Sequence, residues 1–230
     1  MGMKQSKNQM NRASQGECFP VDGLFVQEVP VWYQGNGKVH PEWLSICEEE
    51  RNQTTNLLER ITEPANLRKA YRHVKHNKGS GGVDGMEMAE FGDWFSKNYQ
   101  KVQEQLLTET YEPQMVKGIQ IPKPKGGFRQ LGIPTIADRV VQQAINQVLT
   151  PIFDPTFSPN SFGFRPKRNA HQALTKACQI VKSGKCKVID LDLAKFFDEV
   201  NHQRLIWLLG TRIGDKRVLR LINKILKTLL

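Results

Sequence analysis

Little in these 230 residues fits a secreted or membrane-embedded protein. There are only four cysteines, Cys18, Cys47, Cys178 and Cys186, widely spaced, with no Cys-x-x-Cys pair and no histidine nearby at zinc-ligand spacing. That pattern argues against a disulfide framework and the usual structural zinc sites, and reads as free thiols in a reducing compartment. Residues Met1 to Gly16 lack the apolar stretch of a signal peptide, and no run is long enough to cross a bilayer. A cytosolic protein without a membrane partner is expected. No internal repeat is visible.

Acidic residues are also scarce: 23 Asp+Glu face 33 Lys+Arg, for a net charge of +10. A pI near 9.5 points to a polyanionic partner, with nucleic acid the leading candidate, although solvated lysines are ordinary on soluble proteins. A chain of this length buries roughly 70% of its unfolded surface without a metal or disulfide staple.

Met1 to about Val39 is rich in Asn, Gln, Ser and Gly and reads as a poorly ordered extension. Glu48 to Arg60 has helical character, and Pro64 sits where a first helical turn tolerates it, opening a helix from Ala65 to His76. Leu67, Ala70, Tyr71 and Val74 form its apolar face, and Arg68, Lys69, Arg72 and Lys75 a basic one. His73 and His76 lack two further ligands nearby and read as solvated or RNA-facing. Asn77 to Gly82 breaks the pattern as a flexible loop, after which Phe91, Phe95, Val102 and Leu106 mark another amphipathic helix.

A hairpin follows, with Ile119 and Ile121, a turn at Pro124-Lys125-Gly126-Gly127, and a return through Arg129, Leu131 and Ile133. Thr135 with Asp138 resembles a capping box, opening a helix with Val140, Val141, Ala144, Ile145, Val148 and Ile152 on its buried face. A turn-rich bridge, Ser161 to Pro166, leads to a helix carrying Ala170, Leu174, Ala177 and Val181. Val188 to Leu193 reads as a buried strand, and helices from Gln203 to about Leu209 and from Lys216 to Leu230 finish the chain.

Asp190-Leu191-Asp192-Leu193-Ala194-Lys195-Phe196-Phe197-Asp198 is the sharpest feature. On a strand, Asp190 and Asp192 share one face while Ile189, Leu191 and Leu193 point to the core. Carboxylates there are costly to bury without a cation, and hard oxygen ligands favour Mg²⁺, which phosphoryl or nucleotidyl transfer uses to neutralise a triphosphate. For Asp190 and Asp198 a lysine pair or a turn cap stands equally open; for Asp192 metal binding is the preferred reading.

The stretch from Asp192 to Asp198 resembles the reverse transcriptase pattern of Asp, three variable residues, an aromatic, Phe and Asp. The resemblance implies that Asp192 and the Leu193 carbonyl bind the catalytic metal, and that Phe197 packs under the incoming sugar and rejects a 2′-hydroxyl. A longer stretch, Ile121-Pro122-Lys123-Pro124-Lys125-Gly126-Gly127-Phe128-Arg129-Gln130-Leu131-Gly132-Ile133-Pro134-Thr135 followed by Asp138-Arg139-Val140-Val141-Gln142, is similar to the fingers hairpin of group II intron reverse transcriptases. Two cations flanking a tight glycine turn suit a triphosphate, and Lys123 and Arg129 are the residues expected to grip it. Asn77-Lys78-Gly79 with Gly82-Val83-Asp84-Gly85 resembles the family's template-holding loop, which adds Lys78. Ser161 through Ala173 resembles the block before the metal-binding strand; Arg165 there is expected to contact template or nucleotide, and Arg168 equally to be a salt-bridged structural residue.

The resemblance spans roughly Leu67 to Leu209 and implies an α+β fold: helix-rich fingers with a β-hairpin and the beginning of a right-hand polymerase palm. The expected division is a polar extension over 1–49, a helical template-binding segment over 50–113, fingers over 114–186 and a partial palm over 187–230. Implied partners are intron RNA, an RNA template with a DNA primer, and deoxynucleoside triphosphates; a homodimer stays open. The family's Pro-Gln-Gly and Tyr-x-Asp-Asp blocks do not occur. The chain, which ends abruptly in a helix as a truncated one would, is therefore expected to bind RNA and to polymerise poorly or not at all. Two rival readings are a non-catalytic RNA-binding maturase module and an Asp-x-Asp-x-Thr phosphatase using Asp190 and Asp192. Ala194 in place of Thr, and the helical upstream chain, count against the phosphatase.

Overall fold

The computed structural model describes residues 19–21, 24–26, 54–124, 126–185, 187–193 and 196–228. Two short strands, β1 (Phe19–Val21) and β2 (Leu24–Val26), pair antiparallel with Phe19 opposite Val26. Otherwise the expected extension over 1–49 lies outside the described residues, as do Cys18, Cys47 and Cys186; Cys178 is an exposed free thiol.

The helical body begins with α1 (Leu57–Thr62) and α2 (Pro64–His76). Expected helicity from Glu48 to Arg60 is met only from Leu57 onward, because Thr54 to Asn56 form a turn and residues before Thr54 lie outside the description. Pro64 opens α2 because its missing N–H costs nothing in a first turn. Leu67, Ala70 and Val74 are buried and Tyr71 is half-buried. Helix α3 (Met88–Leu107) buries Phe91, Phe95, Val102 and Leu106, the four positions that its sequence period singles out. Phe91 stacks between Trp94 and Phe95, with ring centroids at 5.4 and 5.5 Å, and Tyr71 stacks on Phe95 at 5.3 Å, tying α2 to α3.

Strands β3 (Lys117–Pro122) and β4 (Phe128–Ile133) form an antiparallel hairpin in which Ile119 faces Leu131 and Ile121 faces Arg129. Helix α4 (Ile136–Phe153) packs along α2 and buries Val140, Val141, Ala144, Ile145 and Val148, with Ile152 at the edge of the core. After a 3-10 turn (Asp154–Thr156) come α5 (Ala170–Lys182), α6 (His202–Gly210) and α7 (Lys216–Lys227). Ile206, Ile213, Val218, Leu219, Leu221 and Ile225 join the core. At the far end, Arg217 grips Glu59 with Nη1 and Nη2 at 2.7 and 2.8 Å, and the buried Asp215 accepts the Leu58 N–H at 3.0 Å, fastening α7 to α1. The fold is α+β and helix-rich, without a repeating strand-helix series among the described residues, which removes the structural basis for the phosphatase reading.

Two expectations need correction. Val188 to Leu193 is not a buried strand: it has no regular structure and no strand partner, with Val188 83% and Leu191 88% exposed. A strand needs a neighbouring ladder and a covering layer, and the described sheets are two isolated hairpins with no edge beside it. Asp190 and Asp192 therefore do not line a pleated face over a core. The Asn77–Gly82 segment, for its part, is seated rather than free. A Cβ on Gly82 would stand 2.6 Å from the Thr135 Cα, so the loop backbone lies directly against the start of α4, an approach that only glycine permits.

Candidate nucleic-acid interface

The β3–β4 hairpin projects from the body with nearly every residue exposed on both faces. Its tip closes through Lys123 N–H to the Gly127 carbonyl at 2.9 Å and Gly126 N–H to the Lys123 carbonyl at 3.0 Å. Gly126 and Gly127 have φ of +89° and +81°, a left-handed region that explains the Gly-Gly turn. Lys123 and Arg129 are exposed, and neither side chain has a hydrogen bond or ion pair among the described residues. Both cations are thus available to a ligand.

Both feet of the hairpin are held by one buried carboxylate. Asp138 accepts from Tyr111 Oη at 2.7 Å, from the Gln114 N–H at 3.2 Å and from Thr135 Oγ1 at 2.6 Å, and its own N–H donates to Thr135 Oγ1 at 3.1 Å. Gln114 precedes β3 and Thr135 follows β4, so a rigid base carries an exposed arm. Burial first, and the Asp138 charge second, push the Tyr111 phenol far above its ordinary range, so it remains a hydrogen-bond donor. The capping-box reading of Thr135 and Asp138 is half right. Thr135 does cap α4, but the Asp138 carboxylate turns to Tyr111 and Gln114 instead of the cap's own backbone. Nothing in the local sequence pairs Tyr111 with Asp138.

On α2, Arg68, Lys69, Arg72 and Lys75 are all exposed, and Lys78 follows in the loop with φ of +47°. Arg165 is placed differently from the expected contact with template. Its side chain is 8% exposed, and it donates to Asp154 Oδ1 at 2.8 Å and to the carbonyls of Asp154, Ser158 and Ser161. That hydrogen bonding holds the Asp154 carboxyl below the usual range. Arg165 is committed to shaping its own loop, which leaves little of it for RNA. Arg168 donates to the Pro159 carbonyl at 3.1 Å and lies over Phe162.

Asp192 and Leu193 lie on the exposed segment, and Phe197 is exposed with its ring edge-on to Phe196. Asp190, Asp192 and Asp198 have no hydrogen bond or ion pair among the described residues, so neither the lysine-pair nor the turn-cap reading of Asp190 and Asp198 is met. No group of three His, Cys, Asp or Glu side chains among the described residues is disposed to hold a metal ion. A lone exposed carboxylate does not fit a two-ion nucleotidyl-transfer centre.

A polar cavity of about 400 Å³ opens between α2 and α4, lined by Val74, Asn77, Arg139, Gln142, Gln143 and Asn146. The sequence places Val74 on the apolar face of α2, Asn77 in the loop likened to a template-holding one, and Arg139 and Gln142 in the stretch likened to the fingers, but singles out none of the six as a ligand contact. Neither this cavity nor a second one, next to Asp138, is lined by Asp192, Lys123 or Arg129.

Residues 121–228 match the family described as reverse transcriptase (RNA-dependent DNA polymerase). Protein YkfC of Escherichia coli (strain K12) is 36% identical over 177 residues, covering 74% of this chain and 46% of that protein. Group II intron-encoded protein LtrA of Lactococcus lactis subsp. cremoris is 34% identical over 175 residues, covering 75% of this chain and 29% of that protein. A mitochondrial protein of Arabidopsis thaliana, nuclear intron maturase 1, is 32% identical over 94 residues, covering 41% of this chain and 13% of that protein. The chain spans less than half the length of these relatives.

Proposed function

The chain belongs to the group II intron reverse transcriptase/maturase family, and from that premise we propose that it binds RNA and is the nucleotide-gripping part of an RNA-directed DNA polymerase. The carrying observation is the hairpin: two unpaired cations flank a glycine turn on an arm whose base is locked by Asp138. Guanidinium and ammonium groups held in that way suit the triphosphate of an incoming deoxynucleotide, Arg129 through bidentate hydrogen bonds and Lys123 as a point charge. The basic face of α2, with Lys78, takes the phosphates of intron RNA or of an RNA template paired to a DNA primer. In this reading 50–113 is the template-binding segment, 114–186 the fingers and 187–230 the start of the palm.

Asp192 and the Leu193 carbonyl are the metal ligands that this reading assigns to the chain, with Phe197 beneath the sugar. Mg²⁺ would supply charge neutralisation at the triphosphate, and it needs carboxylates besides Asp192. The incomplete donor set favours a second reading for the chain by itself, an RNA-binding maturase module.

Titration of a deoxynucleoside triphosphate with a primer–template tests the grip. Lys123→Ala and Arg129→Ala should each weaken triphosphate binding about tenfold or more, the worth of a charged hydrogen bond. Unchanged binding would return both residues to the role of solvated charges. Asp192→Asn should abolish whatever primer extension the protein supports while RNA affinity stays within about twofold, since the lost group acts on a metal rather than on phosphate. Extension that survives this change removes the metal role.

A further inference from the structure

The seam between α2 and α4 treats its amides in two ways. Near its start they are satisfied: Asn66 Nδ2 donates to the carbonyls of Ile61 and Ala144 at 2.9 and 3.1 Å, and Gln147 Nε2 donates to Asn66 Oδ1 at 2.7 Å. Around the cavity the side-chain amides of Asn77, Gln142 and Gln143 have no hydrogen-bond partner among the described residues, although Gln142 and Gln143 are half-buried. Asn146 lends only one oxygen, to the Thr150 hydroxyl at 3.1 Å. These amides stay open to water while those near the start are tied down, so their donors and acceptors are free to meet a ligand.

Arg139, on the same wall, adds a cation. One terminal nitrogen donates to the Ser80 carbonyl, and the guanidinium fills the space that a Gly79 side chain would occupy. Its Nε is buried with no hydrogen-bond partner, and no carboxylate pairs with it among the described residues. Burial lowers its pKa, and the Asp84 charge opposes that with a smaller effect. A partly desolvated guanidinium that makes no ion-pair contact and only feels the Asp84 charge keeps donors free for an anion, and the surrounding amides offer both donors and acceptors.

We propose that this cavity is a subsite for one ribonucleotide unit, whose phosphate sits on Arg139 and whose base edge and 2′-hydroxyl meet the amides of Asn77, Gln142, Gln143 and Asn146. The volume accommodates a single nucleotide, and every one of these groups except Arg139 is neutral, which suits sugar and base rather than a second phosphate. The cavity opens at the C-terminal end of α2, whose basic face and Lys78 carry a strand's flanking phosphates toward it. The inference rests on the RNA-binding reading and adds a position where a strand is read by its sugar and base.

The test follows the side-chain amide resonances of Asn77, Gln142 and Gln143 in the full chain, titrated in parallel with a short single-stranded RNA and with adenosine monophosphate. RNA is expected to move all three. Shifts with the monophosphate as well identify a site that takes a free nucleotide; shifts with RNA alone assign it to a strand. RNA binding that leaves the three amides unmoved overturns the subsite and spares the RNA-binding reading. Amides that respond only to the monophosphate keep the subsite and remove the RNA reading, and silence toward both ligands removes both. A Gln142→Ala/Gln143→Ala double variant should lose about tenfold in RNA affinity with an unchanged salt slope, because neutral amides release no counterions. A reduced slope, or unaltered affinity, contradicts the proposal.

Discussion

Asp138 has an outsized part for a single side chain, because three donors from both sides of the hairpin converge on it in a buried setting. Removing it leaves the Tyr111 hydroxyl and the Gln114 N–H without an acceptor. Asp138→Ala should therefore cost about 2–4 kcal/mol in urea unfolding and speed amide exchange in β3 and β4 ahead of the helical body. Equal exchange in hairpin and body would mean that the carboxylate stabilises the fold without holding the arm. Phe91, fully buried among aromatic rings, is the packing counterpart. Phe91→Ala should cost about 3–5 kcal/mol by the same measurement, through the cavity it leaves. Exposure was legible where a side chain stands on its own, as with Lys123 and Arg129 beside a glycine turn. Contacts were not legible where partners lie far apart in sequence: Tyr111 and Asp138, or Arg139 against Gly79, meet only once the loops have closed.

Elements whose apolar period finds a partner in the described residues were read correctly. The apolar positions that the three- and four-residue spacing marks on α3 and α4 are buried, with Ile152 at the edge of the core, and the hairpin register follows the alternation of Ile119, Ile121, Leu131 and Ile133. The unpartnered segment from Val188 to Leu193 is the one that departs from its sequence pattern. Val188 to Leu193 has the composition of a strand interior, but composition states only what a segment can bury, and burial requires a second surface. Helix α5 shows the same split: Asn169 and Gln172 form a complete capping box, so it is a helix on local grounds, yet Leu174 and Val181 remain exposed. The clamp between α1 and α7 is the opposite case, invisible in sequence and firm in structure. Asp215 is 3% exposed and bonded to Leu58 and Arg217. Asp215→Ala should lower stability by about 2–3 kcal/mol, less than for a fully buried pair because Arg217 is partly exposed and keeps Glu59. A loss under about 0.5 kcal/mol would show the clamp to be ornamental.

Across the molecule, charge does two separate jobs. Glu59 and Glu109 are held below the ordinary glutamate range chiefly by hydrogen bonds from Arg217 and Arg220, and Asp154 below the aspartate range by Arg165. A carboxylate with a lowered folded pKa lends stability that is complete above its unfolded value, here 4.5 for Glu and 3.8 for Asp. That stability is lost as pH falls through the lower folded value. Unfolding free energy should thus be flat with respect to these groups above about pH 5.5 and decline below it, and Glu59→Gln should flatten part of the decline. The unpaired cations serve outward. They stand on α2, in the loop at Lys78 and on the hairpin, and the account depends on their meeting phosphates. The most direct test is RNA affinity measured from 50 to 200 mM salt for the wild-type chain and for Lys69→Ala and Lys75→Ala. With about five phosphates contacted, affinity should fall roughly a hundredfold or more over that range, and each substitution should reduce the logarithmic slope by about 0.9. Affinity indifferent to salt, or a slope untouched by both substitutions, would contradict the assignment of this face to RNA.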